Sequence, residues 1–134
     1  MVRKSLDGWN LNELEFLFIE NVGNLVCPAA YDLGEDLRVV MMSVTEGEDK
    51  PLKYPPIFYG ADLLIINKTA LAEAVEFDMK AAARNIDAVH PRLPLIYLSA
   101  RNGTGMQEWL RELFCLAGID GMLKAQNDLP VQAE

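Results

Sequence analysis

Leu63-Leu64-Ile65-Ile66-Asn67-Lys68 and, further along, Leu95-Ile96-Tyr97-Leu98-Ser99-Ala100 are the stretches on which the reading of this chain turns. Each contains a short run rich in apolar β-branched or aromatic residues, read as strands over Asp62 to Ile66 and Leu95 to Leu98, that ends abruptly in polar ones. Apolar residues in unbroken succession, rather than in alternation, mean a strand covered on both faces, as in a parallel sheet. Parallel pairing then needs a crossover long enough for a helix. The intervening sequence supplies one: Asp78 is placed to cap a helix carrying Met79, Ala82, Ala83, Ile86 and Val89 at three- and four-residue steps, with Pro91 to stop it. Working outward, Leu37 to Val44 and Leu14 to Ile19 read as two further strands. Thr104 and Gln107 have capping-box spacing, and Met106, Trp109, Leu110, Leu113 and Phe114 form one helical stripe ending near Gly118. Pro51, Pro55 and Pro56 allow only a short, interrupted helix, and Met1 to Leu6 reads as the end of a helix leading through Gly8. The expectation is an α/β domain with a doubly wound, mainly parallel sheet of about four strands and helices on both faces.

The 134 residues, 51% of them hydrophobic, fit one globular domain with a core of useful size. Twelve Lys and Arg against 20 Asp and Glu give a net charge of -8, with no basic patch, which argues against a nucleic acid or an anionic membrane as partner. The apolar runs fall far short of the roughly 20 residues of a bilayer span, and the N-terminus has no signal-peptide core. A cytoplasmic protein is expected, in which Cys27 and Cys115 are reduced thiols.

Ligands of parallel α/β sheets bind beyond the carboxyl ends of the strands. In order, those ends run into Glu20-Asn21-Val22-Gly23, Ser43-Val44-Thr45-Glu46-Gly47-Glu48-Asp49-Lys50, Asn67-Lys68-Thr69-Ala70 and Ser99-Ala100-Arg101. A strand followed by Asn-Lys and a later strand followed by Ser-Ala resemble the base-recognition half of a GTPase, in which an Asn-Lys-x-Asp loop holds guanine and a Ser-Ala-Lys loop offers a backbone amide to its carbonyl. Glu20-x-x-Gly23 then looks like the Asp-x-x-Gly loop, whose carboxylate serves the Mg²⁺ shell and whose glycine amide senses the γ-phosphate. Each short motif has an ordinary reading as a turn; the three together at strand ends point to a nucleotide.

The longer wording is more specific. Phe18 to Ala29 (FIENVGNLVCPA), Asp32 to Asp36 (DLGED) and Ser43 to Pro55 (SVTEGEDKPLKYP) closely resemble the hydrogenase nickel-incorporation GTPases, the HypB family of [NiFe]-hydrogenase maturation factors. That resemblance runs from the start of the chain to at least Leu113. It implies a P-loop NTPase-like fold, GTP or GDP with Mg²⁺, GTP hydrolysis, nickel or zinc binding, and a homodimer. It also implies other hydrogenase maturation proteins and the hydrogenase large subunit as partners. On this resemblance Glu20 and Gly23 serve Mg²⁺ and the γ-phosphate, Asn67, Lys68, Ser99 and Ala100 the base, and Cys27 is a metal ligand, a soft thiolate followed by proline. No residue is assigned a catalytic role.

Two departures qualify these expectations. Nothing matches G-x-x-x-x-G-K-[ST], the loop that cradles phosphates, nor the Cys-His pair that accompanies the metal-binding cysteine in the family. Residues 1–118 are therefore expected to be the C-terminal part of a GTPase domain, lacking the phosphate-loop strand, with 119–134 a tail. By itself the chain is expected to be inactive and to hold neither nucleotide nor metal tightly. The other departure is Ala70, where the base-recognition loop normally has an Asp to accept from guanine N1 and N2. The competing expectation is a non-catalytic α/β module for docking a maturation partner or for dimerisation. His90 and Cys115 are expected to be structural, and Lys50 and Lys53 to lie on a solvated face.

Overall fold

In the computed structural model the described residues are 2–21, 23, 33–116 and 118. Three parallel strands, β1 (Val39–Ser43), β2 (Leu63–Asn67) and β3 (Leu95–Tyr97), lie in the order β1-β2-β3. Val39 is opposite Leu63, Ser43 opposite Asn67, and Ile66 opposite Tyr97, so the carboxyl ends of the strands lie together. Among the described residues five α-helices accompany them, besides three short 3-10 turns: α1 (Val2–Ser5), α2 (Lys50–Lys53), α3 (Pro55–Tyr59), α4 (Met79–Val89) and α5 (Met106–Leu116).

Leu63 to Ile66 are all buried, as an apolar run without alternation requires. Their side chains alternate between two cores. Leu64 and Ile66, with Val40 and Met42, pack against Ile57 and Phe58 of α3 and Ala82 and Ile86 of α4. Leu63 and Ile65, with Ile96 and Leu98, pack against Met106 and Trp109 of α5. Helices therefore cover both faces, as expected.

Local sequence explains the elements. Asp78 caps α4 by accepting from the amides of Lys80 (2.8 Å) and Ala81 (2.9 Å). Pro51, Pro55 and Pro56 sit in the first turns of α2 and α3, where a missing N–H costs nothing. The helix reading around the prolines is thus met by two short helices.

Three expectations need correction. Among the described residues the sheet has three strands rather than about four: residues 14–19 pair with no described strand, and Leu14, Leu17, Phe18 and Ile19 are exposed. A strand exists through its ladder, and no described strand lies beside this segment. Its apolar character goes partly into ring contacts, Phe16 stacking on Phe18 (6.1 Å between centroids) and meeting Phe114 of α5 edge-on (5.9 Å). Thr104 does not cap α5; it forms an isolated bridge with Ser99, and the helix begins at Met106. Cys115, expected to pack, is exposed.

A candidate nucleotide-base site at the strand ends

Parallel strands deliver their following loops to one end of the sheet, and here two of those loops are tied together. The Thr69 amide and hydroxyl both donate to the Leu98 carbonyl, at 3.1 and 3.0 Å. The Leu98 amide in turn donates to the Ile66 carbonyl (2.8 Å). Asn67, half-buried at the end of β2, accepts through Oδ1 from the Lys68 amide (2.7 Å), and Lys68 takes the left-handed conformation (φ 58°) that L-residues rarely adopt. A side chain that bonds its neighbour's backbone in this way supports so sharp a turn. The turn sends the chain on to Thr69, whose two bonds hold the Asn67-Lys68 loop against the end of β3.

The second loop is equally fixed. Ser99 is buried, its amide donating to the Thr104 carbonyl (2.8 Å) and its carbonyl accepting from the Gly103 amide (2.9 Å). With Ser99 committed, Ala100, which is exposed, carries the first backbone amide of this loop that has no partner among the described residues. Gly105 closes the loop. It has φ +75°, and a Cβ built there would overlap the Tyr97 carbonyl oxygen, so only glycine lets α5 start this close to β3. Tyr97 itself is half-buried, and burial raises its phenol above the usual range.

Beside these loops, the turn after β1 is a capping box. The Thr45 amide donates to Ser43 Oγ (3.3 Å), the Ser43 amide donates to Glu46 Oε2 (2.7 Å), and Lys50 pairs with Glu46. Burial pushes the Glu46 carboxyl up, but bonds from Lys50 and the Ser43 amide outweigh it, helped by the charges of Lys50 and Lys68, and hold it below its ordinary value. Lys53 pairs with Asp49 at 2.7 Å. Both lysines expected on a solvated face are thus engaged by carboxylates one turn away.

Asn67, Lys68, Ser99 and Ala100 therefore come together at one end of the sheet. Glu20, exposed and outside any helix or strand, makes no hydrogen bond or ion pair among the described residues, and Gly23 stands in open space. Cys27 lies outside the described residues, as does the expected tail, 119–134. No group of three or more His, Cys, Asp or Glu side chains gathers among the described residues. His90 places Nδ1 3.1 Å from the Phe58 carbonyl. Thr69 and Glu46 were not singled out from the sequence. Glu46 had a signal, its Ser43-x-x-Glu46 spacing, whereas the role of Thr69 depends on a residue distant in the chain.

The family model for the CobW/HypB/UreG nucleotide-binding domain matches residues 1–97. The chain belongs to this family. Among this family member's relatives, the hydrogenase maturation factor HypB of Azotobacter vinelandii is 57% identical over 102 residues, covering 75% of this chain and 34% of that protein. The hydrogenase/urease maturation factor HypB of Helicobacter pylori is 38% identical over 99 residues, covering 74% of this chain and 41% of that protein. Solved structures are similar as well, two of them as follows. HypB from Archaeoglobus fulgidus has a TM-score of 0.70 and 48% identity, covering 74% of this chain and 49% of that one. HypB from Helicobacter pylori in complex with nickel has a TM-score of 0.67 and 31% identity, covering 84% and 49%. The family member thus spans well under half the length of these two curated relatives, and about half of each solved chain. Among its described residues, no helix is long and apolar enough to cross a membrane.

Proposed function

We propose that this chain is the base-recognition and metal-coupling part of a cytoplasmic, GTP-dependent nickel-delivery protein for [NiFe]-hydrogenase maturation. Residues 1–118 belong to its GTPase domain and 119–134 form a tail. The observation that carries the reading is the junction of the Asn67-Lys68 and Ser99-Ala100 loops at the strand ends, tied by the two bonds from Thr69 to Leu98. The names of the relatives reported above, a hydrogenase maturation factor and a hydrogenase/urease maturation factor, support it.

Fit to a guanine nucleotide is partial. The Ala100 amide is available to a base carbonyl, and Asn67 lines the same end of the sheet. Ala70 is exposed and brings no carboxylate to guanine N1 and N2. The base loops hold the purine edge and leave its identity weakly read. The chain's own sequence has no phosphate-cradling loop, so the hold on the triphosphate, and hydrolysis with it, is assigned to residues outside this chain. Glu20 and Gly23 are assigned to the Mg²⁺ shell and the γ-phosphate.

Nickel, or zinc in its place, is the cargo, and Cys27 is one thiolate ligand. A single thiolate leaves most of a Ni²⁺ or Zn²⁺ shell to other donors, and a second copy of the chain in a homodimer would contribute another. Other maturation proteins and the hydrogenase large subunit are the proposed recipients. The test is an NMR titration of this chain with GDP and Mg²⁺ at about millimolar concentration, suited to a weak site. The amides of Lys68, Thr69, Ala100 and Arg101 should shift, and those of α4 away from the strand ends should not. Absence of any shift at the strand ends would refute nucleotide-base recognition and leave the non-catalytic docking module as the reading.

A further inference from the structure

Gly47 adopts φ 88° and ψ 155°, a backbone state open essentially to glycine. The carboxylates on either side of it reach different parts of the molecule. Glu46 turns back to the Ser43 amide and to Lys50, at the strand ends. Glu48 turns to α4: its Oε1 accepts from the Asp78 amide (2.6 Å), and its main-chain carbonyl accepts from Asn85 Nδ2 (2.9 Å). Glu48 makes no bond to the strand-end loops, so base recognition does not use it. Asp78 is the residue that caps α4, and its own side chain holds the amides of Lys80 and Ala81. The cap of α4 is therefore itself held by the β1 turn, and the β1 turn is held at both ends of a three-residue segment.

We propose that Glu46-Gly47-Glu48 is a two-armed relay, in which Glu48 is the positioning residue that passes a displacement of the β1 turn to the start of α4. Each arm is made of two contacts, the Ser43 amide and Lys50 on Glu46 and the Asp78 amide and Asn85 on Glu48, so each is held at two points. A shift of Glu46 away from Ser43 and Lys50 either is absorbed by rotation at Gly47, which leaves the arms independent, or carries Glu48 and loosens its hold on Asp78 and Asn85, as the relay requires. Helix α4 presents Lys80, Arg84, Asp87 and Ala88 to solvent, which makes that surface the output of the relay. Use of the relay by a bound nucleotide rests on the function proposed above. The coupling itself does not, and is tested with no nucleotide present.

The experiment is amide hydrogen exchange on the intact chain, read residue by residue. In Glu48→Ala, the amides of Ser43 and Thr45, which never touch Glu48, should exchange about tenfold faster, as should those of Lys80 and Ala81. Core amides in Leu64 to Ile66 should keep their rates. Glu48→Gln, which retains an acceptor for the Asp78 amide, should restore most of the protection. Asn85→Ala removes the other bond to Glu48, and should also quicken Ser43 and Thr45. If either Ala variant leaves Ser43 and Thr45 at wild-type rates, or quickens the core amides equally, the two arms are independent and the relay is refuted. Should Glu48→Ala fail to fold, Asn85→Ala alone decides.

Discussion

Replacing Gly105 by Ala should be among the more damaging one-carbon changes available to this fold, and Gly103 two residues earlier provides its control. Both glycines have positive φ, +75° at Gly105 and +79° at Gly103. A non-glycine residue in the left-handed region costs roughly 1–2 kcal/mol, and that penalty is common to both sites. Their surroundings differ. A Cβ on Gly103 meets nothing within 4 Å, whereas one on Gly105 overlaps the Tyr97 carbonyl and comes within 3.2 Å of Leu98 Cα. Backbone cannot step aside as a side chain can, so α5 must lift from the end of β3. Overpacking of that kind typically costs about 1–3 kcal/mol. Gly105→Ala is therefore expected to lose about 2–5 kcal/mol of stability and Gly103→Ala about 1–2 kcal/mol. Urea unfolding followed by tryptophan fluorescence suits the measurement, because Trp109 packs against the Leu63, Ile65, Ile96 and Leu98 cluster that α5 covers. Equal losses in the two variants, within about 0.5 kcal/mol, would mean that close approach does not constrain Gly105, and the account of the loop would fail.

Metal titration of the chain with Ni²⁺, followed by thiolate charge-transfer absorption, should give weak binding that vanishes in Cys27→Ala; tight stoichiometric binding that survives the substitution would overturn the ligand assignment. Calorimetry with GTP and Mg²⁺ should give a dissociation constant weaker than about 10 μM, and Ala70→Asp should leave the chain without hydrolysis, because neither supplies a phosphate loop; turnover by either protein would refute this. Acid should weaken the start of α4 through Asp78, whose carboxyl is held below its ordinary value by the Ala81 amide first; desolvation opposes this, and the Lys80 amide with the charges of Arg84 and Lys80 adds to the lowering. A depressed carboxyl stabilises the fold above its unfolded pKa, and that contribution fades as pH falls through the lower folded value. Melting temperatures of the wild type and Asp78→Asn should therefore converge on acidification below about pH 4, and a gap that persists unchanged there would contradict the cap.

Much of the fold could be read from patterns that report local burial. Leu63 to Ile66 is apolar at successive positions because both faces of β2 are covered, and the three- and four-residue steps from Met79 to Val89 describe a helix with one buried side. Leu14 to Ile19 carries the same kind of pattern and is not a strand. Composition states what a segment prefers to bury, while strand pairing depends on which neighbour is present, and that is a property of the rest of the sheet. Thr104 failed for a related reason: capping-box spacing is a local signal, and α5 begins at Met106, which leaves Thr104 one position too early to cap it while its backbone bridges to Ser99. The Asn67-Lys68 and Ser99-Ala100 loops were legible as motifs, and parallel topology alone puts them at one end. Thr69, which ties them, and Glu48, which ties the β1 turn to α4, were not legible, because each bonds a residue about thirty positions away in the chain.

The side of β1 away from β2, which meets no strand among the described residues, has a consequence for the behaviour of many copies in solution. Arg38 directs its carbonyl to Asp62 and Leu63, so the alternation of the strand sets the backbone groups of Val39, Met41 and Ser43 on the other side. Glu46 occupies the Ser43 amide, which shortens the exposed ladder by one donor and places a carboxylate at its end. Met41 remains 55% exposed there, and Phe18 is 68% exposed in a segment that pairs with no strand. Attraction between copies through such apolar, partly unpaired surfaces is opposed by their shared net charge of -8. At physiological ionic strength that repulsion already decays over about 8 Å, and at 1 M salt over about 3 Å. Non-specific association of this chain is thus expected to depend on ionic strength: dilute buffer keeps the charge barrier in place, and concentrated salt removes it from surfaces that pair with no strand among the described residues.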